Sequence, residues 1–184
     1  MKRKNLIRVL IVLSVLLVLL CGTTLALMFR QTSLVTNEFE TAIVDCQVYE
    51  QTDTGAVVAG AKSSITVENT GNIPAYIRVR FVSYWVDDAG NIVGKASEMP
   101  SIPYDANAWF EQNGIYYCKT PIAVEGYTPE LLQSGETIVL RADAETGYRQ
   151  VLEVFADAIQ SEPNKAVTQS WNVGISDGNI VSKT

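Results

Sequence analysis

Residues Ala75 to Val86 alternate with a period of two, and no other stretch constrains the fold so tightly. In an extended strand Ile77, Val79, Phe81 and Trp85 fall on one face and Tyr76, Arg78, Arg80, Val82 and Tyr84 on the other. A helix would scatter both sets around its circumference, so the segment reads as a strand with one face in a core. Shorter stretches of the same kind predict strands over Thr41–Glu50, Ser63–Asn69, Gly114–Lys119, Glu136–Asp143 and Gln150–Ser161. In the last of these Leu152, Val154, Ala156 and Ala158 share the inward face. Several short strands between turn signals predict an all-β fold, a jelly-roll-like or immunoglobulin-like sandwich of mainly antiparallel strands.

Turn chemistry supplies the connections. Asn69-Thr70-Gly71-Asn72, followed by Pro74, predicts a hairpin joining Ser63–Asn69 to the long strand. Asp87-Asp88-Ala89-Gly90-Asn91 predicts a second hairpin into Ile92 and Val93; it lacks the ligand spacing of a calcium loop. Glu98 to Asn107, with Pro100 and Pro103, reads as a surface loop, and Asn164–Ser170 after Pro163 as a short helix.

The first thirty residues are of a different kind. Met1 to Arg8 is basic, Val9 to Leu20 is apolar apart from Ser14, and Cys21-Gly22-Thr23-Thr24-Leu25-Ala26 ends in small residues. Thr24 and Ala26 occupy the −3 and −1 positions of a signal cleavage site, with Leu27 as the first mature residue. The apolar stretch continues through Phe29, and about 20 residues also suffice to span a bilayer. A cleaved signal and a retained anchor are therefore both open, and Lys2, Arg3 and Lys4 keep the N-terminus inside in either case. Leu20 stands where lipoprotein cleavage wants a small residue, which argues against lipidation of Cys21. The expected organisation is a leader over 1–26, an N-terminal extension over 27–44, and a β domain over 45–184.

Composition excludes several functions. The chain has no histidine, which removes the commonest general base and the commonest zinc ligand. Removing Lys2, Arg3, Lys4 and Arg8 with the leader takes the net charge from −6 to −10. Basic residues are otherwise scattered, apart from Arg78 and Arg80, so no nucleic-acid partner is expected. No carboxylate pair is marked by its surroundings, and no catalytic residue, metal site or cofactor is expected. Trp85, Trp109, Tyr116, Tyr117 and Trp171 could stack on sugars, although core packing is the commoner fate of aromatics on alternating strands. Cys46 and Cys118, exported with the domain, form a candidate disulfide; two free thiols are the alternative. Gln31 to Ile43 is a candidate donor strand, with Leu34, Phe39 and Ile43 as its apolar anchors for the open sheet edge of another subunit. The alternatives are pairing within its own domain or service as a tether.

A family resemblance runs through nearly the whole chain. It rests on Gly22-Thr23-Thr24-Leu25-Ala26, on Val35-Thr36-Asn37-Glu38-Phe39-Glu40 and Cys46, and on the run from Val67-Glu68-Asn69-Thr70-Gly71-Asn72 through Ile73-Pro74-Ala75-Tyr76-Ile77-Arg78-Val79. Tyr116-Tyr117, Phe155-Ala156-Asp157-Ala158-Ile159-Gln160-Ser161 and Ser170-Trp171-Asn172-Val173 complete it. In these residues the chain resembles the exported biofilm-matrix proteins of the TasA, camelysin and BsaA type, and the BsaA branch most. Leu27, Met28, Phe29 and Arg30 depart from the aromatic and acidic residues usual after the cleavage region.

The resemblance implies a Gram-positive surface or matrix protein with a jelly-roll-like fold. It also implies a SipW-type signal peptidase as processing partner, and association with itself or with related matrix proteins. No catalytic residues carry over. Metalloprotease activity attributed to some relatives needs a zinc site that a chain without histidine does not offer. The expected function is an exported structural subunit, in the matrix or at the cell surface. A membrane-anchored adhesin or ligand-binding module is the alternative, and a secreted hydrolase the third reading.

Overall fold

The structure, a computed structural model, describes residues 3–31, 41–53 and 61–183, with side chains of the first helix described over 3–23. The chain divides into two compact units, Met1–Glu40 and Thr41–Thr184.

The first unit is built on one helix, α1 (Arg3–Gln31). Its stretch Arg3–Thr23 has a mean hydropathy of 2.7 and is long and apolar enough to cross a membrane. Leucine, isoleucine and valine cover its whole circumference, the pattern of a helix whose surroundings are themselves apolar. The hydroxyls of Ser14 and Thr23 donate back to the carbonyls of Ile11 and Leu20 at 2.8 and 3.0 Å, so they are satisfied without water.

The second unit is mostly β, in antiparallel sheets. Its strands are β1 (Cys46–Asp53), β2 (Ala61–Asn69), β3 (Ala75–Val86), β4 (Ile92–Val93), β5 (Trp109–Gln112), β6 (Ile115–Cys118), β7 (Ala142–Asp143) and β8 (Tyr148–Gln160). Helix α2 (Asn164–Ser170) and the strands β9 (Gly174–Ser176) and β10 (Asn179–Val181) follow. The large sheet has the order β5-β6-β3-β8-β7, with β4 on the end of β3. The pair β3–β8 is in register from Ala75 opposite Gln160 to Val86 opposite Arg149.

Strand β3 sits centrally because its alternation buries one face completely and gives the other a partial cover. Ile77, Val79 and Phe81 meet Leu152 of β8, Ile65 and Val67 of β2, and the fully buried Trp109 in one core. Burying side chains of this size contributes about 1.5–3 kcal/mol each, which holds the β1–β2 pair against the large sheet. On the opposite face Tyr76 and Tyr117 form a second core with Val167, Trp171, Val173 and Ile180 of the C-terminal segment. Val154, Ala156 and Ala158 pack against the first core, as their parity predicts. The Asp87–Asn91 hairpin into β4 and the helix over Asn164–Ser170 also stand where the sequence puts them.

The hairpin expected between β2 and β3 is not formed. Strand β2 pairs instead with β1, from Cys46 opposite Asn69 to Asp53 opposite Ala61, and residues 69–72 carry the chain from one sheet to the other. The cause is the fully buried amide of Asn69. Its Nδ2 donates to the carbonyls of Ile73, Ile122 and Ala123 at 2.9, 3.0 and 3.2 Å, and its Oδ1 accepts from the Gly71 N–H at 3.1 Å. The turn is thus satisfied as a crossover, with no cross-strand partner needed.

The other edge of β2 is covered by irregular chain. Backbone bonds run from Thr128 N–H to Val67 and from Leu131 N–H to Ile65, at 2.8 and 3.0 Å. Where the register leaves β2 donors over, side chains take them: Thr128 Oγ1 accepts from the Val67 N–H at 3.0 Å and a Glu130 carboxylate oxygen accepts from the Ile65 N–H. The strand expected over Glu136–Asp143 is therefore reduced to a bridge, Ile138 with Lys62, and the two residues of β7. The first β strand begins at Cys46, not Thr41, because residues 41–45 are bound elsewhere.

Candidate functional site

Strand β8 is the longest in the molecule's sheets and β7 covers only its first residues. Arg149 and Tyr148 pair with Ala142 and Asp143, and the Gln150 N–H donates to the Arg141 carbonyl at 2.8 Å. On the β3 side the Ser161 N–H donates to the Pro74 carbonyl at 3.0 Å. Antiparallel ladders alternate, so these two bonds set the direction of every peptide between them. Leu152, Val154, Ala156, Ala158 and Gln160 turn their N–H and C=O groups away from β3, and among the described residues no strand receives them.

Strand β1 is also an edge, paired only with β2 among the described residues. Strands β1 and β8 lie in contact with each other. No proline interrupts β8 between Tyr148 and Gln160, while the register of β1 shifts between Gln51 and Thr52. The side chains around it are tied down. Asp157 accepts from Arg78 Nε at 3.0 Å, the Arg78 guanidinium lies 4.7 Å from the Trp171 ring, and that of Arg80 lies 5.4 Å from the ring of Phe155.

The segment before β1 is anchored beside this edge. Asn72 donates its backbone N–H to the Ile43 carbonyl at 3.0 Å and its Nδ2 to the Thr41 carbonyl at 2.9 Å, while its Oδ1 accepts from the Ile43 N–H at 2.7 Å. The Thr70 N–H donates to Asp45 at 3.1 Å. Gly71 is required at this crossing, since a Cβ there would collide with the Ile43 carbonyl oxygen. Of the expected donor-strand anchors, Ile43 is therefore bound by backbone to its own domain, with its side chain exposed; Leu34 and Phe39 lie outside the described residues. Thr24, Ala26 and Leu27 fall inside the helical run of α1, and their side chains lie outside the described residues.

The candidate disulfide is not formed: Cys46 and Cys118 are free thiols, both against the first core. Burial, reinforced by Asp45 and Asp157, pushes the Cys46 thiol up to about 11. Burial also pushes Cys118 up, opposed in part by hydrogen bonding at Thr120. Trp85, Trp109, Tyr117 and Trp171 are buried and Tyr116 packs on Phe81 with centroids 5.4 Å apart, so these aromatics are core. In the Asp87 turn both carboxylate oxygens accept from Asn91, from its N–H at 2.8 Å and its Nδ2 at 3.1 Å, which holds Asp87 below the usual carboxylate range. Sequence reasoning missed β5 and the β9–β10 hairpin, although Asp177-Gly178 between Ile175 and Ile180 is a strong two-residue turn signal. Comparison with family models, with curated proteins and with solved structures found no match.

Proposed function

We propose that the chain is an exported structural subunit of an extracellular biofilm-type matrix or surface fibre, with a jelly-roll-like β domain that self-associates by strand addition. The observation that carries this reading is the outward row of peptide groups from Leu152 to Gln160 that no strand among the described residues receives. A row of this kind takes an extended segment from another chain through main-chain bonds, and a head-to-tail contact that does not close yields a filament. In this reading the extension before the Asn72 crossing supplies the strand, and the residues that resemble the TasA, camelysin and BsaA type support it.

Light scattering tests it. Ala156→Pro removes one outward N–H but none of the bonds to β3, and proline is tolerated at such edge positions. The released wild-type chain is expected to grow into large assemblies and the variant to remain small with its fold intact. Equal growth of both would remove β8 as the acceptor.

A second reading, a membrane-anchored surface or ligand-binding module, is favoured by the continuity of α1 to Gln31. A peptidase takes its substrate extended, so residues 24–27 have to unwind before cleavage. Intact mass of cell-bound and released material separates the two: a released species beginning at Leu27 supports the matrix subunit, and a full-length membrane-bound monomer supports the anchored module.

A further inference from the structure

We infer that the groove between the C-terminal hairpin and the β5 edge binds a neutral oligosaccharide, a role independent of whether the chain polymerises. The groove has a volume of about 540 Å³, with Phe110 and Lys119 on one bank and Asp177, Asn179 and Ser182 on the other. Ligand clefts run from about 300 to 1,000 Å³, so two or three sugar units are of the right order.

The banks are held at a fixed separation by two bonds. Asp177 and Gly178, at φ 50° and 76°, make the tight turn that brings β10 back. The Ile180 N–H then donates to the Lys119 carbonyl at 2.7 Å, and Ser182 Oγ donates to Gln112 Oε1 at 2.8 Å. Both ties join residues that line or adjoin the groove.

Its chemistry selects the ligand. The Phe110 ring is stacked on Tyr117, with centroids 5.0 Å apart and planes 12° from parallel, and it is only half-buried. One ring face is covered by Tyr117, and the side chain lines the groove. A pyranose presents a flat C–H face that suits such a ring, with hydroxyls around its rim for Thr120, Asn179 and the Oδ1 of Asn107, whose Nδ2 donates to Asp105 Oδ1 at 3.0 Å.

Two competing ligand classes fit less well. A wholly apolar ligand would leave those amides and hydroxyls without partners. Lys119 and Asp177 offset each other within a chain of net charge −6, and the Lys119 ammonium already donates to the Ala106 carbonyl at 2.6 Å. A polyanion therefore gains no attraction here.

The test uses the full chain in detergent micelles, titrated with cellotetraose and with chitotetraose while backbone amide NMR shifts are followed. Saturable shifts confined to the groove are expected, with a Kd of about 1 mM or tighter for at least one of the two sugars. Phe110→Ala is expected to weaken binding roughly tenfold. Because Phe110 also packs on the second core, the exposed rim variants Asn107→Ala and Thr120→Ala serve as a second set. They are expected to weaken binding about threefold with unchanged unfolding, while the remote Glu136→Gln leaves affinity unaltered. Absence of saturable shifts with both sugars, or unchanged affinity in all the groove variants, overturns the proposal. So does a synthetic Gln31–Glu40 peptide that moves the same signals when the sugars do not, which would make the groove a strand acceptor.

Discussion

The Asn69 side chain holds the crossing between the sheets. It is fully buried and its amide closes three carbonyls and one N–H at the crossing between the sheets. Asn69→Ala removes the partner of the Ile73 carbonyl and of the Gly71 N–H, while the Ile122 and Ala123 carbonyls keep the N–H groups of Ala75 and Gly126, and a loss of about 3 kcal/mol in urea unfolding is expected. Asn72→Ala, at an exposed position, is expected to lose about 1 kcal/mol in the same measurement. The Cys46 thiol gives a chemical check on burial. Held up at about 11 against an ordinary value of 9.0, it carries roughly a hundredth of the usual thiolate near neutral pH. Alkylation by iodoacetamide, read by mass spectrometry, is expected to be about a hundredfold slower than for an exposed cysteine, rising with pH toward 11.

Between elements, the Asp143 carboxylate ties the end of β7 to the loop after β4. Its hydrogen bond from Lys95, assisted by Thr146, lowers it from 3.8 to about 2. A depressed folded-state value favours the ionised form, so this contribution is present above about pH 4 and is lost as pH falls through about 2. Acid unfolding followed by circular dichroism should show a shallower loss of stability between those pH values for Asp143→Asn than for the wild-type chain.

The elements also differ in how legible they were. β3 and β8 are long and alternate cleanly, so their burial could be read residue by residue. β5 is too short to show a period, and Glu136–Asp143 alternates without becoming a full strand because its neighbours bind β2 irregularly. The Asn69–Asn72 turn was legible as a turn but not as a crossover, because turn chemistry is the same whether the chain returns to its own sheet or moves to another. For the same reason the open edge was hidden. A strand's neighbours are set by topology, and no residue in β8 records that β7 begins only at Ala142.

At the scale of the molecule, charge would oppose the proposed association through the edges. Freed of its leader the chain carries −10, and like-charged subunits repel over about 30 Å at 0.01 M salt but only about 8 Å at 0.15 M. Assembly of the released chain, followed by light scattering, is therefore expected to start at lower protein concentration as salt rises; the reverse dependence would point to attraction between opposite charges. The lashing of residues 41–45 to the Asn72 crossing has a mechanical side as well. Among the described residues, tension applied through the N-terminus meets the domain first at Thr41, and Asn72 and Thr70 hold that segment ahead of β1. Because those residues sit where the chain passes from one sheet to the other, a pull is shared between both sheets and does not peel β1 away alone. The crossing works as a strain relief, like the collar that keeps a cable from tearing at its plug.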